Sequence, residues 1–248
     1  MSYHFDREVY FDSVRASLFS GRLTQQQVDG QNFILDVWEA DHLDWDLRWL
    51  AYPLATAIHE TASTMWPIEE YGKGAGQPYG KPDKNGNAFY GRGLIQLTWA
   101  ENYQKMTPVV RAAFPGEDID LYLHPEQALV PKYASEIMFV GMEQGMFRAS
   151  SDGQRQTLVR YFSSTKDDPY TAREIINGDK KTVPSWSNGV SIGNLIKGYH
   201  GKFLAALQAA LAEEIQPEPE PEHQVAMIAI TVPPGIEVQV TVNGEVRT

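Results

Sequence analysis

Apolar residues recur at helical spacing through most of residues 1–210. Val14, Leu18 and Leu23 mark an N-terminal helical hairpin, and Val28, Phe33, Ile34, Leu35 and Val37 carry the pattern through 25–40. Residues 49–64 place Leu50, Leu54, Ala57 and Ile58 on one face, with Ala55 and Ala62 adding helix propensity. Ala128, Leu129, Tyr133, Ile137, Met138 and Met142 predict a further helix over 126–145, and an Ala- and Leu-rich pattern predicts a closing one over 196–215. Between these, 71–87 holds five Gly and two Pro and predicts a long loop or a short irregular hairpin, the usual exception to short connections being a functional one. Leu94, Ile95 and Leu97 read as a short buried segment.

The pattern changes after residue 215. Alternating Pro and Glu over 216–223 cannot continue a helix and favour an extended, self-repelling spacer. Beyond it, Ile236, Val238, Val240 and Val242 alternate with polar residues, a period-two strand signal. Residues 225–232 predict a second strand, with Pro233-Pro234-Gly235 as the turn. Two or three short strands do not fold alone in water, so this tail must pack on the main domain or on copies of itself. We expect self-association into a homo-oligomer. The organisation is then a mainly helical domain (1–215), a Pro/Glu linker (216–223) and a small β tail (224–248).

Composition narrows the chemistry. The 248 residues, 42% hydrophobic, suffice for one sizeable core, and the absence of cysteine removes disulfides, thiolate metal sites and a Cys nucleophile. A net charge of −11 argues against nucleic acid, and the seven Glu against one Arg from Leu211 onward account for −6 of it. A polyanionic partner would have to be bound in a local groove. Residues 1–24 lack the continuous apolar run of a signal peptide, and no run of about 20 apolar residues spans a membrane.

Glu60 and Glu69 stand nine positions apart, and Tyr90-Gly91-Arg92-Gly93-Leu94-Ile95-Gln96-Leu97-Thr98 follows the glycine-rich loop. Two carboxylates beside such a loop are what glycosidic hydrolysis needs, one to protonate the leaving oxygen and one to activate water. A lone Glu at position 60 would ordinarily be a solvated helix residue. Here Ala57 and Thr56, at i−3 and i−4, are small and leave room for a ligand, and partial burial would favour the protonated acid. Either Glu69 or Glu70, beyond Pro67, has the ionised loop setting that suits a base. Gly91 and Gly93 flank Arg92 where chain or ligand approaches closely, and Gln96, Thr98 and Asn102 supply polar groups for water and sugar hydroxyls.

Competing motifs fail. His59-Glu60 is followed at the fifth position by Ser63, so no His-Glu-x-x-His zinc site exists, and the single Glu-x-x-His of Glu39 and His42 has no second pair. We expect no metal and no cofactor. Gly72, Gly74 and Gly76 lack the strand and helix of a nucleotide fingerprint, and Gly189-Val190-Ser191-Ile192-Gly193 lacks the buried strand of a nucleophile elbow.

The chain resembles the family 19 glycoside hydrolases, which include plant and bacterial chitinases and many phage endolysins. His59-Glu60-Thr61, the run from Phe89 to Thr98, Asn102-Tyr103, Ile175-Ile176-Asn177-Gly178 and Gly198-Tyr199 carry the resemblance. It implies a lysozyme-like, mainly helical fold of two lobes around a groove, with Glu60 as general acid, Glu69 as base and Thr98 holding the attacking water. Glu70 is the alternative base. The resemblance also implies substrate contacts at Gln96, Asn102 and Asn177, and we add Tyr90 and Arg92 from the same run. It implies inversion of the anomeric centre, with carboxyls about 6.5–9.5 Å apart. The chain departs from the family's pattern after Gly178, where Asp179-Lys180-Lys181 follow. An Arg common before the family's closing helix has no clear match, Lys197 being only nearby.

Chitin and peptidoglycan share β-1,4-linked N-acetylhexosamines. Phe11-Asp12-Ser13-Val14-Arg15 and Leu23-Thr24-Gln25 look similar to phage and prophage lysozymes, which favours an endolysin acting on peptidoglycan glycan strands over a chitinase acting on chitin oligomers. Such an enzyme would be made in the bacterial host cytoplasm and reach the cell wall after holin-type release. The opposing class is a non-catalytic wall-binding or virion structural protein. The acidic tail favours that class; the joint presence of Glu60, Glu69 and Thr98 speaks against it.

Overall fold

The computed structural model describes residues 4–150, 153–211, 234–235, 240–242 and 245–247. The chain divides into two compact units, Met1–Glu213 and Glu214–Thr248. The first is mainly α, the class that the hydropathy pattern predicts.

Helix α1 (Arg7–Leu18) starts where the Asp6 side chain accepts the Val9 N–H, and α2 (Gln25–Asp41) opens with a reciprocal Thr24/Gln27 capping box. Helix α3 (Arg48–Glu60) is apolar on every side from Leu50 to Ile58, and all nine of those residues are buried. A helix of that kind belongs in the middle of a core. It packs against α5 (Pro131–Glu143) and most extensively against α7 (Ile192–Ala210), which also covers α1. Helix α4 (Ala100–Ala113) packs on α5 and buries Tyr103, Met106, Thr107 and Val110. Two short antiparallel pairs lie in the connections: β1 (Ile68–Glu69) with β2 (Arg92–Gly93), and β3 (Phe162–Ser163) with β4 (Lys166–Asp167). One turn of helix, α6 (Leu158–Tyr161), precedes β3.

The helix expected over 126–145 is broken at the extended Val130 into a 3-10 turn (Pro125–Leu129) and α5, and three further expectations need correction. The helix expected over 49–64 stops at Glu60, because Ala62, Ser63 and Met65 take left-handed φ values of 49°, 66° and 57°. Thr61 closes it, donating its hydroxyl to the Ala57 carbonyl and accepting the Met65 N–H. Gly30 on α2 makes that return possible, since a Cβ there would lie 2.0 Å from the Met65 carbonyl oxygen. Secondly, α4 was not expected at all. Thirdly, the closing helix begins at Ile192, four residues early; its expected continuation to Ile215 lies outside the described residues.

In the second unit, β5 (Val240–Val242) pairs antiparallel with β6 (Glu245–Arg247), Val240 opposite Arg247 and Val242 opposite Glu245. Residues 234–235 form a turn, as expected. The 216–223 linker, the 225–232 strand and the 236–239 part of the next strand lie outside the described residues.

Candidate active site

Because α3 ends at Glu60, its last residue is delivered from the buried helix to the surface of the core. A carboxylate there faces the negative end of the helix dipole and needs a compensating charge. Arg173 supplies it from the 3-10 turn Thr171–Ile175: Nη1 donates to Glu60 Oε1. The same guanidinium holds Asp179 through Nε (2.7 Å) and Nη2 (3.1 Å). Burial works against the charged Arg173, but Glu60 and Asp179 outweigh it and hold its pKa above the usual arginine value. Asp179 also fixes Asn177, whose Nδ2 donates to it over 3.1 Å while its Oδ1 accepts the Gly178 N–H. His59, one residue back, is pushed towards its neutral form by burial.

The segment after β2 folds back on itself, with Arg92 and Leu97 exchanging N–H···O bonds of 3.1 and 2.8 Å. Gln96 and Trp99 are held at φ 54° and 74°, values that cost a non-glycine residue conformational energy and cluster at ligand sites. This turn presents Thr98, whose hydroxyl donates to the Gln96 carbonyl (2.8 Å), while Asn102 Nδ2 donates to the Thr98 carbonyl (2.8 Å).

These segments meet around one open cleft of about 340 Å³. Its walls include Glu60, Ile176 and Asn177, the run from Ile95 to Trp99, Asn102, Tyr79 and Phe147. Four expected site residues, Gln96, Thr98, Asn102 and Asn177, thus share a cleft with Glu60. Tyr90 and Arg92, expected among the sugar contacts, are instead interior: they are 8% and 5% exposed, and the guanidinium stacks 3.7 Å above the Tyr90 ring. Apolar packing and hydrogen bonds to the Ala88 carbonyl and the Tyr103 hydroxyl hold Arg92 there. Glu69 and Glu70 sit at β1; Glu69 accepts from Tyr90 Oη (2.6 Å), and Glu70 from Tyr79 Oη (3.3 Å) and the Gly91 N–H (3.1 Å). A roomier hollow of about 710 Å³ between α1 and α7, which includes Lys197, contains no carboxylate to do chemistry.

The chain aligns with several solved structures of chitinases. A chitinase C from Streptomyces griseus HUT6037 matches at 19% identity over 83% of this chain and 76% of that one, with a TM-score of 0.48. A bacterial family 19 chitinase matches at 22% identity over 81% and 93%, with a TM-score of 0.46. A point mutant of chitinase C matches at 19% identity over 82% and 91%, with a TM-score of 0.42. All three are chitinases. No protein-family model and no curated protein matches the sequence.

Reasoning from the sequence missed Arg173, Asp179, Tyr79 and Trp99. Asp179 was visible only as a departure from a motif. Arg173 lies four residues before Asn177, with no local pattern to connect it with a residue 113 positions away. Tyr79 and Trp99 carried a signal that went unused: Tyr79 falls in the glycine-rich loop, and Trp99 directly follows Thr98.

Proposed function

We propose that this chain is a glycoside hydrolase that cleaves β-1,4 bonds between the N-acetylhexosamines of bacterial peptidoglycan by an inverting acid/base mechanism. The observation that carries the reading is the gathering of Glu60, Gln96, Thr98, Asn102 and Asn177, from three distant stretches of chain, around one cleft. Glu60 protonates the departing glycosidic oxygen. One guanidinium faces the carboxylates of Glu60 and Asp179, so a proton on Glu60 leaves the trio neutral, and the guanidinium steadies the carboxylate that forms as that proton passes to the leaving oxygen. On the opposite face of the sugar a water attacks the anomeric carbon, giving its proton to a carboxylate of the 69–70 pair. Thr98 donates its own proton to a backbone carbonyl, so its oxygen accepts from that water and turns a lone pair towards the sugar. Gln96 and Asn102 use their amide nitrogens on backbone carbonyls, which leaves their oxygens as acceptors for sugar O–H and N–H groups. Trp99, half exposed at the cleft, offers an apolar face to a sugar ring.

Peptidoglycan is preferred to chitin on the likeness of 11–15 and 23–25 to phage lysozymes, and with it the role of an endolysin reaching the wall from the host cytoplasm. The test is lysis of outer-membrane-stripped Gram-negative cells beside cleavage of soluble chitin oligomers, for wild type and Glu60→Gln. Wild type should clear the cells, and Glu60→Gln should lose activity about a hundred- to ten-thousand-fold while melting as wild type does. Cleavage of the oligomers alone would make chitin the substrate. A folded wild type that cleaves neither would leave a wall-binding or structural protein.

A further inference from the structure

We infer that Glu70 is the carboxylate that activates water, and that Glu69 is a structural tie on the other face of the same strand; the inference rests on the hydrolase reading above. The argument is one of strand parity. In β1 and β2, Glu69 lies opposite Arg92 and Ile68 opposite Gly93, and the ladder runs one step past the strand end, where the Glu70 N–H donates to the Gly91 carbonyl over 2.7 Å. Successive side chains of a strand point to opposite faces, and cross-strand partners share one. Glu69 therefore belongs with Arg92, and Glu70 with Gly91.

The two faces differ in what they hold. On the first, Glu69 Oε1 takes the Tyr90 hydroxyl at 2.6 Å and lies 3.4 Å from Arg92 Nε, and Oε2 meets Lys73 Nζ at 3.0 Å. Both oxygens are engaged, and Tyr90 and Arg92 are interior. Tyr90's hydrogen bond, resisted by partial burial and reinforced by Lys73, holds Glu69 below the usual carboxylate range, which makes it a reluctant proton acceptor. On the second face, a Cβ on Gly91 would come within 2.7 Å of Gln96 Oε1, so Gly91 turns its bare side to a residue of the cleft wall. Glu70 sits beside it. Its Oε2 takes the Gly91 N–H and its Oε1 the hydroxyl of Tyr79, which lines the cleft with Glu60 and Thr98. Among the described residues no Lys or Arg forms an ion pair with Glu70. Its bond to Tyr79, at 3.3 Å, is long enough for a water to compete for.

The step balances as one displacement. The water oxygen bonds to the anomeric carbon, its proton passes to a Glu70 oxygen, and the electron pair of the breaking C–O bond stays on the leaving oxygen, which takes the Glu60 proton.

Azide tests this, because an anionic nucleophile needs no base. Full-length Glu69→Ala, Glu70→Ala and Glu70→Gln are assayed on N-acetylglucosamine hexasaccharide and on purified sacculi, with and without sodium azide. Mass spectrometry follows the glycosyl azide, and thermal melting checks folding. Glu70→Gln keeps the side-chain shape and both hydrogen-bond positions, so it separates loss of the base from loss of fold. We expect both Glu70 variants to lose about a hundred-fold or more in turnover. Azide should restore a share of it in Glu70→Ala as glycosyl azide, whereas Glu69→Ala should give no adduct. An adduct from Glu69→Ala, no adduct from Glu70→Ala, or a Glu70→Gln enzyme within about tenfold of wild type would overturn the assignment while leaving the hydrolase reading intact. A folded wild type that cleaves neither substrate, or a Glu60→Gln as active as wild type, would remove the hydrolase reading itself.

Discussion

Arg173 is 2% exposed, yet all three of its guanidinium nitrogens are bonded, one to Glu60 and two to Asp179. Such a fork suits arginine and not lysine, whose ammonium cannot hold two carboxylates in one plane. Arg173→Met should therefore leave two carboxylates facing each other without a cation. The expected cost is about 3–5 kcal/mol of stability, with turnover falling alongside, read by denaturant melts and by the lysis assay. Arg173→Lys should recover part of the stability and little of the turnover. Glu60, Gln96, Thr98, Asn102 and Asn177 were legible in the sequence because each sits in a short run with a distinctive order of residue types. Arg173 was not, because its role is set by where the 3-10 turn lies in space. The nearest cation by order, Lys197, faces a different hollow. The choice between Glu69 and Glu70 was illegible for a related reason. It depends on which face of the short β1 ladder each takes, Glu69 at the strand's end and Glu70 one step beyond it, and an isolated Glu-Glu pair carries no period from which to read a face.

At the level of elements, long apolar runs were easy to place and their ends were not. Helix α4 shows the limit. Its buried residues stand at i, i+3, i+4 and i+7, but charged neighbours and Pro108 inside it dilute the pattern. The interface of α3 and α7 has a consequence for acid stability. His200 of α7 is buried, stacked 5.2 Å from Phe162 and near Tyr52, with Asp167 3.9 Å away and Asp46 and Arg48 beyond. Neither its ring nitrogens nor the Tyr52 hydroxyl has a hydrogen-bond partner among the described residues. Burial pushes its pKa down from 6.5 to about 4. The unfolded chain therefore binds this proton more readily than the folded one. The stabilisation is fully present above pH 6.5 and is lost as pH falls from there towards about 4, by roughly 3 kcal/mol in all. Denaturant melts between pH 7 and 4 should show that decline, and His200→Phe should flatten it.

For the whole chain, the helical unit holds its own core and every residue of the cleft, and the β5–β6 pair belongs to the other unit. Asn243-Gly244, between those strands, is the strongest short hairpin signal, and it was passed over in favour of a turn at Pro233-Pro234-Gly235. A chain ending at Leu211 should melt cooperatively at the temperature of the full-length protein and keep its turnover. If the tail drives self-association, sedimentation should show the full chain heavier than one copy and the shortened chain monomeric. The two ends of the helical unit are also joined: the Asp6 N–H donates to the Ala210 carbonyl over 2.7 Å, and Phe5 bridges Leu211. Domains whose ends adjoin tolerate being spliced into a host protein's loop or having their chain order rotated. This unit is thus a self-closing cassette. A domain of that form can be carried at either end of a fusion, or in the middle of one, with its core and its cleft travelling as a single part.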